Sequence, residues 1–365
     1  MDIISSAPNK VIITGEHSVV HGSYAIAVPI SLRNKVHLVV KDATGAEPHF
    51  YLEALNGWNV KVYAGGNVEG TASQQLSGFV SLFHNILKQN EASLFRLDKI
   101  FEAKIISSNS PKGTGNSASI AAALAMALHA YFNQKPEHDE LFEETHNAEK
   151  IVYPTDSGID SRTVTSNKAQ KLRKVFAEDG SSKFEFNEVV LNLPAGTSLL
   201  VIDTLLPGQK IISTAELVKQ FSQTYFKKNP TELSFEEKNK IVDMFNPVVK
   251  EIEQELSPSG NPAKLGKLFL KNHELLRKGG VVPKEMDEVI DLCMKNGCYG
   301  AKGTGACGPG GAIIALVDSK KMEKVKTALH AFGLKNVFEA QIADIGPVVE
   351  SVIIDEKDEK KEEKK

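Results

Sequence analysis

Ser110-Pro111-Lys112-Gly113-Thr114-Gly115-Asn116-Ser117 runs directly into Ala118 and an alanine- and leucine-rich segment that continues to Phe132. Pro111, Gly113 and Gly115 keep a helix from starting early and let the backbone approach another group closely. Asn116 or Ser117 is a suitable N-cap for the helix that follows. The first turn of that helix presents unpaired N–H groups and the positive end of its dipole, the physical specification of an anion or phosphate site. An ordinary strand-to-helix connection has the same local pattern, so the remaining chain has to decide between the two.

Working outward, Phe101 to Ser107 reads as a strand entering the loop. Ser73 to Gln89 reads as a helix with Leu76, Phe79, Val80, Phe83 and Ile86 at helical spacing. Lys10–Thr14, Tyr24–Ile30, Lys35–Lys41 and His49–Ala54 read as earlier strands, and 56–70, with Trp58, as loop-rich. Beyond the alanine-rich helix, Glu137–Val152 is a second amphipathic helix whose Asp139, Glu140, Glu143 and Glu144 form a solvated face. Pro154 and Gly158 end it, and 173–187 reads as two antiparallel strands around Glu178-Asp179-Gly180. Ser198–Asp203 is a buried strand, after which Ser213–Asn296 is almost wholly helical, in four helices broken near 229–230, 258–262 and 279–283. A second glycine run occupies 300–312, followed by a helix over 319–330 and strands near 337–342 and 348–354.

The pattern is an α+β chain with a composition shift near residue 195, giving expected lobes of 1–195 and 196–354. Residues 355–365 hold only Asp, Glu and Lys and are expected to form a solvated, disordered tail. With 43 basic and 46 acidic side chains and no basic arm, nucleic acid is not an expected partner. No 18-residue apolar run and no signal-peptide core occur, so a cytoplasmic location without membrane contact is expected. Cys293, Cys298 and Cys307 lack disulfide or zinc spacing and read as buried thiols. Oligomeric state is not set by the sequence, and a homodimer is left open.

Three separated elements stand together: Lys10 leading to Gly15-Glu16-His17-Ser18-Val19-Val20-His21-Gly22, the Gly113–Ala118 loop, and Lys302-Gly303-Thr304-Gly305-Ala306-Cys307-Gly308. In order and spacing they resemble the three motifs of the GHMP small-molecule kinases, over about 350 residues, and the first is similar to that of the members acting on mevalonate. The resemblance implies a two-lobed fold, a first lobe with mixed sheet and helices and a second that is helix-rich with antiparallel strands. It also implies ATP and Mg²⁺ as cofactors and transfer of the γ-phosphoryl to the 5-hydroxyl of mevalonate. Phosphoryl transfer needs N–H donors, a cation near the reacting oxygens, a metal and a group that orients the alcohol, and the motifs supply each.

By the resemblance, Lys112, Gly113, Thr114, Gly115, Asn116, Ser117 and Ala118 would wrap the triphosphate, with Gly303 and Gly305 of the late loop. Ser117 and Glu149 would hold Mg²⁺. Asp160 would take or orient the hydroxyl proton, with Lys10 as its partner. Glu16 and His17 would hold mevalonate, with Thr214 beside Ser213 as a further contact. For Glu16 and His17 the alternative is a satisfied buried pair supporting a turn.

The chain departs from the family pattern at Thr114 and Asn116, where leucine and serine are usual, at Cys307 and Pro309, and in lacking a Gly-Gly pair after Asp160. Other readings of the same fold are a kinase for phosphomevalonate or for the mevalonate 3-hydroxyl, and a nucleotide-binding regulator without turnover.

Overall fold

The computed structural model describes residues 1–106, 111–154, 156–177, 179, 181–205 and 212–354. Ser110, the tips of the 178–180 turn and the 355–365 tail lie outside the described residues. Two long antiparallel strands, β1 (Asp2–Thr14) and β2 (Ala25–Asp42), form the spine. The sequence suggests two strands where β2 is one. Arg33 sits at the junction and donates to Ser6 and to the carbonyls of Ile345 and Gly346, so the backbone stays extended, and a register shift at Pro8/Asn9 takes up the bend.

β3 (His49–Glu53), β4 (Asn59–Tyr63) and β5 (Val68–Glu69) continue the sheet as a meander. The 56–70 segment is therefore strand as well as loop, with Val60 and Val62 alternating into the core. Helices α1 (Ser77–Gln89) and α2 (Leu94–Leu97) lead to β6 (Lys99–Ile105), which lies parallel to β3 and antiparallel to β2.

Helix α3 (Asn116–Tyr131) is buried between this sheet and the helices α1 and α4 (His138–Val152). Its alanines allow that close packing, and a helix apolar all round has no solvent face to offer. The acidic face expected on α4 is only partly solvated, because Glu144 turns inward to His129 with Nε2···Oε2 2.9 Å. A short α5 (Ile159–Val164) follows, then the hairpin β7 (Ala169–Phe176) and β8 (Ser182–Val189), which pairs with β2.

The second sheet is antiparallel, in the order β10 (Gly300–Thr304), β11 (Ala312–Asp318), β9 (Thr197–Asp203), β12 (Val337–Ala340). α6 (Thr214–Phe226), α7 (Phe235–Glu255), α8 (Pro262–Lys278) and α9 (Lys284–Lys295) lie between β9 and β10, and α10 (Met322–Ala331) between β11 and β12. Residue 195 falls where the first sheet gives way to the second, but β13 (Val348–Ile353) crosses back and pairs with β1, so the chain is not cut cleanly in two there. Val11, Ile13, Ile26 and Val28 of the spine pack with Val201, Phe269 and Ile314, joining the sheets through one apolar cluster. All three cysteines are buried and free. Among the described residues no helix is long and apolar enough to cross a membrane.

Candidate active site

The loop 111–117 is held by its own polar side chains. Thr114 Oγ1 donates to the Pro111 carbonyl at 2.6 Å, and Asn116 Nδ2 to the same carbonyl at 3.1 Å. Asn116 Oδ1 accepts from Asn9 Nδ2 at 2.7 Å and from Asn34 Nδ2 at 3.4 Å. Of the two side chains that depart from the family pattern, Asn116 thus fastens the loop to the spine and Thr114 braces it from within. Gly115, not Asn116 or Ser117, occupies the N-cap position at φ 70° with no side-chain cap, so α3 begins one residue earlier than the sequence suggests. Lys112 and Gly113 are exposed on the outer side.

Two charged or polar pairs meet this loop. Lys10, almost wholly buried on β1, bonds Asp160 Oδ1 through Nζ at 2.9 Å and donates to the Gly113 carbonyl at 3.1 Å. A Cβ on Gly115 would sit 3.1 Å from Lys10 Cγ and 3.5 Å from Asp160 Oδ2, so the glycine is what lets the pair reach the loop. Two residues beyond Gly115, Ser117 Oγ donates to Glu149 Oε2 at 2.8 Å. Burial pushes the Glu149 carboxyl up to about 8, with Asp160 and Asp156 adding to the rise and Ser117 opposing it. Gln75, Phe79, Val152 and Tyr153 line a narrow cleft beside these two groups.

Glu16 and His17 differ from each other. Glu16 is 1 % exposed, ion-paired to the fully buried Lys302 and bonded by Asn272 Nδ2 at 3.3 Å. Of the two roles open to it, the geometry favours the satisfied pair supporting a turn over a direct contact, because its oxygens are already engaged. Lys302 also donates to the Gly303 carbonyl at 2.7 Å. His17 holds φ 57°, a strained value for a bulky residue. Its Nε2 bonds the Ala306 carbonyl at 2.9 Å, which places the proton on Nε2, and its buried Nδ1 has no partner among the described residues. Burial pushes its pKa down to about 4, so the ring is neutral and Nδ1 is an acceptor. Phe221 stacks on His17 at 5.7 Å and on His21 at 5.9 Å.

The late loop is only partly at the site. Gly305 reaches it, a Cβ there falling 3.2 Å from the Gly113 carbonyl. Gly303 does not: its N–H faces His273 Nδ1 at 3.3 Å, and a Cβ would strike Met286 and Cys307. It is a packing glycine of β10. Thr214 is exposed in the first turn of α6, and Ser213 beside it caps that helix through Glu216. Lys302 and Asn272 were missed as site-building residues. A lysine inside an otherwise apolar strand was the available signal, since such a charge demands a partner.

Residues 82–165 match the family model for the GHMP kinases N terminal domain and residues 248–335 that for GHMP kinases C terminal, so fold and loops are those of a GHMP kinase. The mevalonate kinase of Pyrococcus abyssi is 31% identical over 340 residues, covering 91% of this chain and 93% of its own. That of Methanocaldococcus jannaschii is 29% identical over 339 residues, covering 90% and 96%. The crystal structure of the Methanococcus jannaschii mevalonate kinase aligns at a TM-score of 0.74 with 22% identity, covering 94% of this chain and 98% of that one. The chain belongs to the mevalonate kinase family, and ATP is its phosphoryl donor class.

Proposed function

We propose that the chain transfers the γ-phosphoryl of ATP to the 5-hydroxyl of mevalonate, giving 5-phosphomevalonate and ADP. The observation that carries this reading is the Lys10–Asp160 pair, 2.9 Å across, seated against Gly113 and Gly115 at the start of α3. The N–H groups of that first turn bind the triphosphate, supported by Gly305. Asp160 orients the hydroxyl and accepts its proton as the new P–O bond forms. Lys10 offsets the charge that develops on the reacting oxygens.

Ser117 and Glu149 fit Mg²⁺, being a hydroxyl and a buried carboxylate with only hard oxygen donors, one short hydrogen bond apart. The metal, when bound, neutralises charge on the phosphate oxygens. Glu149 has to lose the proton that burial favours before it can serve as a ligand. His17 Nδ1 accepts a hydrogen bond from a substrate hydroxyl, and Phe221 fixes the ring plane. ATP use and the three free thiols fit a cytoplasmic setting.

The test is a substrate panel read by ADP release: mevalonate, phosphomevalonate and galactose, each with ATP and Mg²⁺. Turnover on mevalonate, with the product phosphorylated at the 5-position, is the expected result. Turnover confined to another alcohol, or phosphorylation of the 3-hydroxyl, would overturn the reading, as would ATP binding without any turnover.

A further inference from the structure

Asp160 is the second residue of α5, a helix of six residues whose N-cap, Gly158, sits at φ 77° without a side-chain cap. So short a helix cannot fix its own start. Something else has to hold the backbone ahead of Asp160, and the described residues contain one arrangement that does.

The N–H of Gly158 donates to Asp156 Oδ2 at 3.1 Å, and His146 Nδ1 meets the same oxygen at 3.0 Å. The imidazole also lies directly under Gly158, where a Cβ would come within 3.2 Å of Cε1 and 3.3 Å of Nε2. The ring itself stacks on Phe142, one turn back on α4, with centroids 5.4 Å apart and planes at 13°. The guanidinium of Arg162, two residues beyond Asp160, stands 4.6 Å from the centre of that same Phe142 ring. A column of side chains therefore ties both the entry and the middle of α5 to α4. Since α4 also carries Glu149, one turn from His146, the column sets the distance and angle between the Glu149 and Asp160 carboxylates.

We infer that His146 and Asp156 form a positioning pair for Asp160, holding the 156–158 turn so that the carboxylate meets Lys10 and the substrate hydroxyl in register. The inference rests on the kinase reading of Asp160. Neither residue touches the reacting atoms, so the effect falls on turnover rather than on binding, because sub-ångström misplacement of a catalytic group acts on the transition state.

The experiment measures kcat and KM for ATP and mevalonate in the full chain carrying His146→Ala, Asp156→Ala, Asp156→Asn, or both alanine changes together. Each alanine variant should lose about 10- to 100-fold in kcat with both KM values within threefold of wild type. The double variant should be no worse than either single one, as for residues acting as a unit. Asp156→Asn keeps an acceptor for both donors and should stay within threefold. An alanine variant that keeps kcat within twofold, or loses activity through KM alone, overturns the inference. Should an alanine variant fail to fold, Phe142→Leu keeps the apolar bulk while removing the stacked ring. A three- to tenfold fall in its kcat supports the inference, and an unchanged kcat overturns it. An inert wild type discards both the pair and the kinase reading, whereas an active wild type with unaffected variants discards only the pair.

Discussion

The glycine-rich stretches 111–117 and 300–311, the second including β10, are alike in composition and touch where Gly305 meets the Gly113 carbonyl, yet their glycines answer different demands. In the first, Gly113 and Gly115 hold φ 81° and 70°, and the loop is fastened from behind by Asn9, Asn34 and Thr114, so its outer side stays open. In the second, Gly300 lies against the backbone of Gly266, Gly303 against Met286 and Cys307, and Gly308 against Leu217. There the missing side chains let chain approach chain. Glycine enrichment reports close approach, and only the identity of the approaching group distinguishes a ligand cradle from a core contact.

That difference can be broken by exchanging the consequences. Gly300→Ala places a Cβ 2.0 Å from the Gly266 carbonyl, where neither backbone can give. It should cost about 4 kcal/mol or more and abolish a normal thermal melt. A melt within a few degrees of wild type would show that the second loop is not a packing device.

His17, bonded to the second loop at Ala306, gives the next largest effect. Burial pushes both His17 and His21 down to about 4, so the unfolded chain binds protons between pH 6.5 and 4 that the folded chain refuses. Stability is fully present above about pH 6.5 and falls as pH drops toward 4, by about 3 kcal/mol for each ring at about 1.4 kcal/mol per pH unit. Melting curves across that window should show the slope, and His21→Asn should remove part of it.

Gly115→Ala should do the reverse of Gly300→Ala. The Cβ meets flexible atoms of Lys10 and the Asp160 carboxylate, so the loss in stability is about 1–2 kcal/mol from the positive φ, while kcat falls about 100-fold. Unchanged turnover would remove the first loop from the reacting centre. Asn116→Ser gives the smallest effect: loss of the Asn9 and Pro111 bonds costs about 1 kcal/mol, with kcat within threefold of wild type.

Much of this architecture was legible beforehand because its signals are local. The alanine-rich α3, the four helices between Thr214 and Lys295 and the buried strands announce themselves by periodicity and by Pro and Gly at their ends. What escaped depends on partners far along the chain. Continuity of β2 rests on Arg33 reaching Ile345 and Gly346, and the strands within 56–70 on pairing of β4 with β3 and of β5 with β4. Burial of Glu144 needs His129, and that of Glu16 needs Lys302 across 286 residues. At the site, Lys10 meets Asp160 and Ser117 meets Glu149, as the family resemblance implies, whereas Gly303 packs within β10 and Thr214 is exposed at the start of α6. A residue's direction at a loop end is set by packing and cannot be read from its motif.

The proposed transfer turns on Asp160 acting on the mevalonate hydroxyl beside Lys10. The most direct measurement is phosphorus NMR of the products formed from ATP and mevalonate by wild type and Asp160→Asn, with nucleotide affinity measured in parallel by calorimetry. A phosphomonoester at the 5-position is expected from wild type, with a fall of at least about 1,000-fold for the variant and ATP affinity within a few-fold. An Asp160→Asn protein that forms the same product at a comparable rate would contradict it.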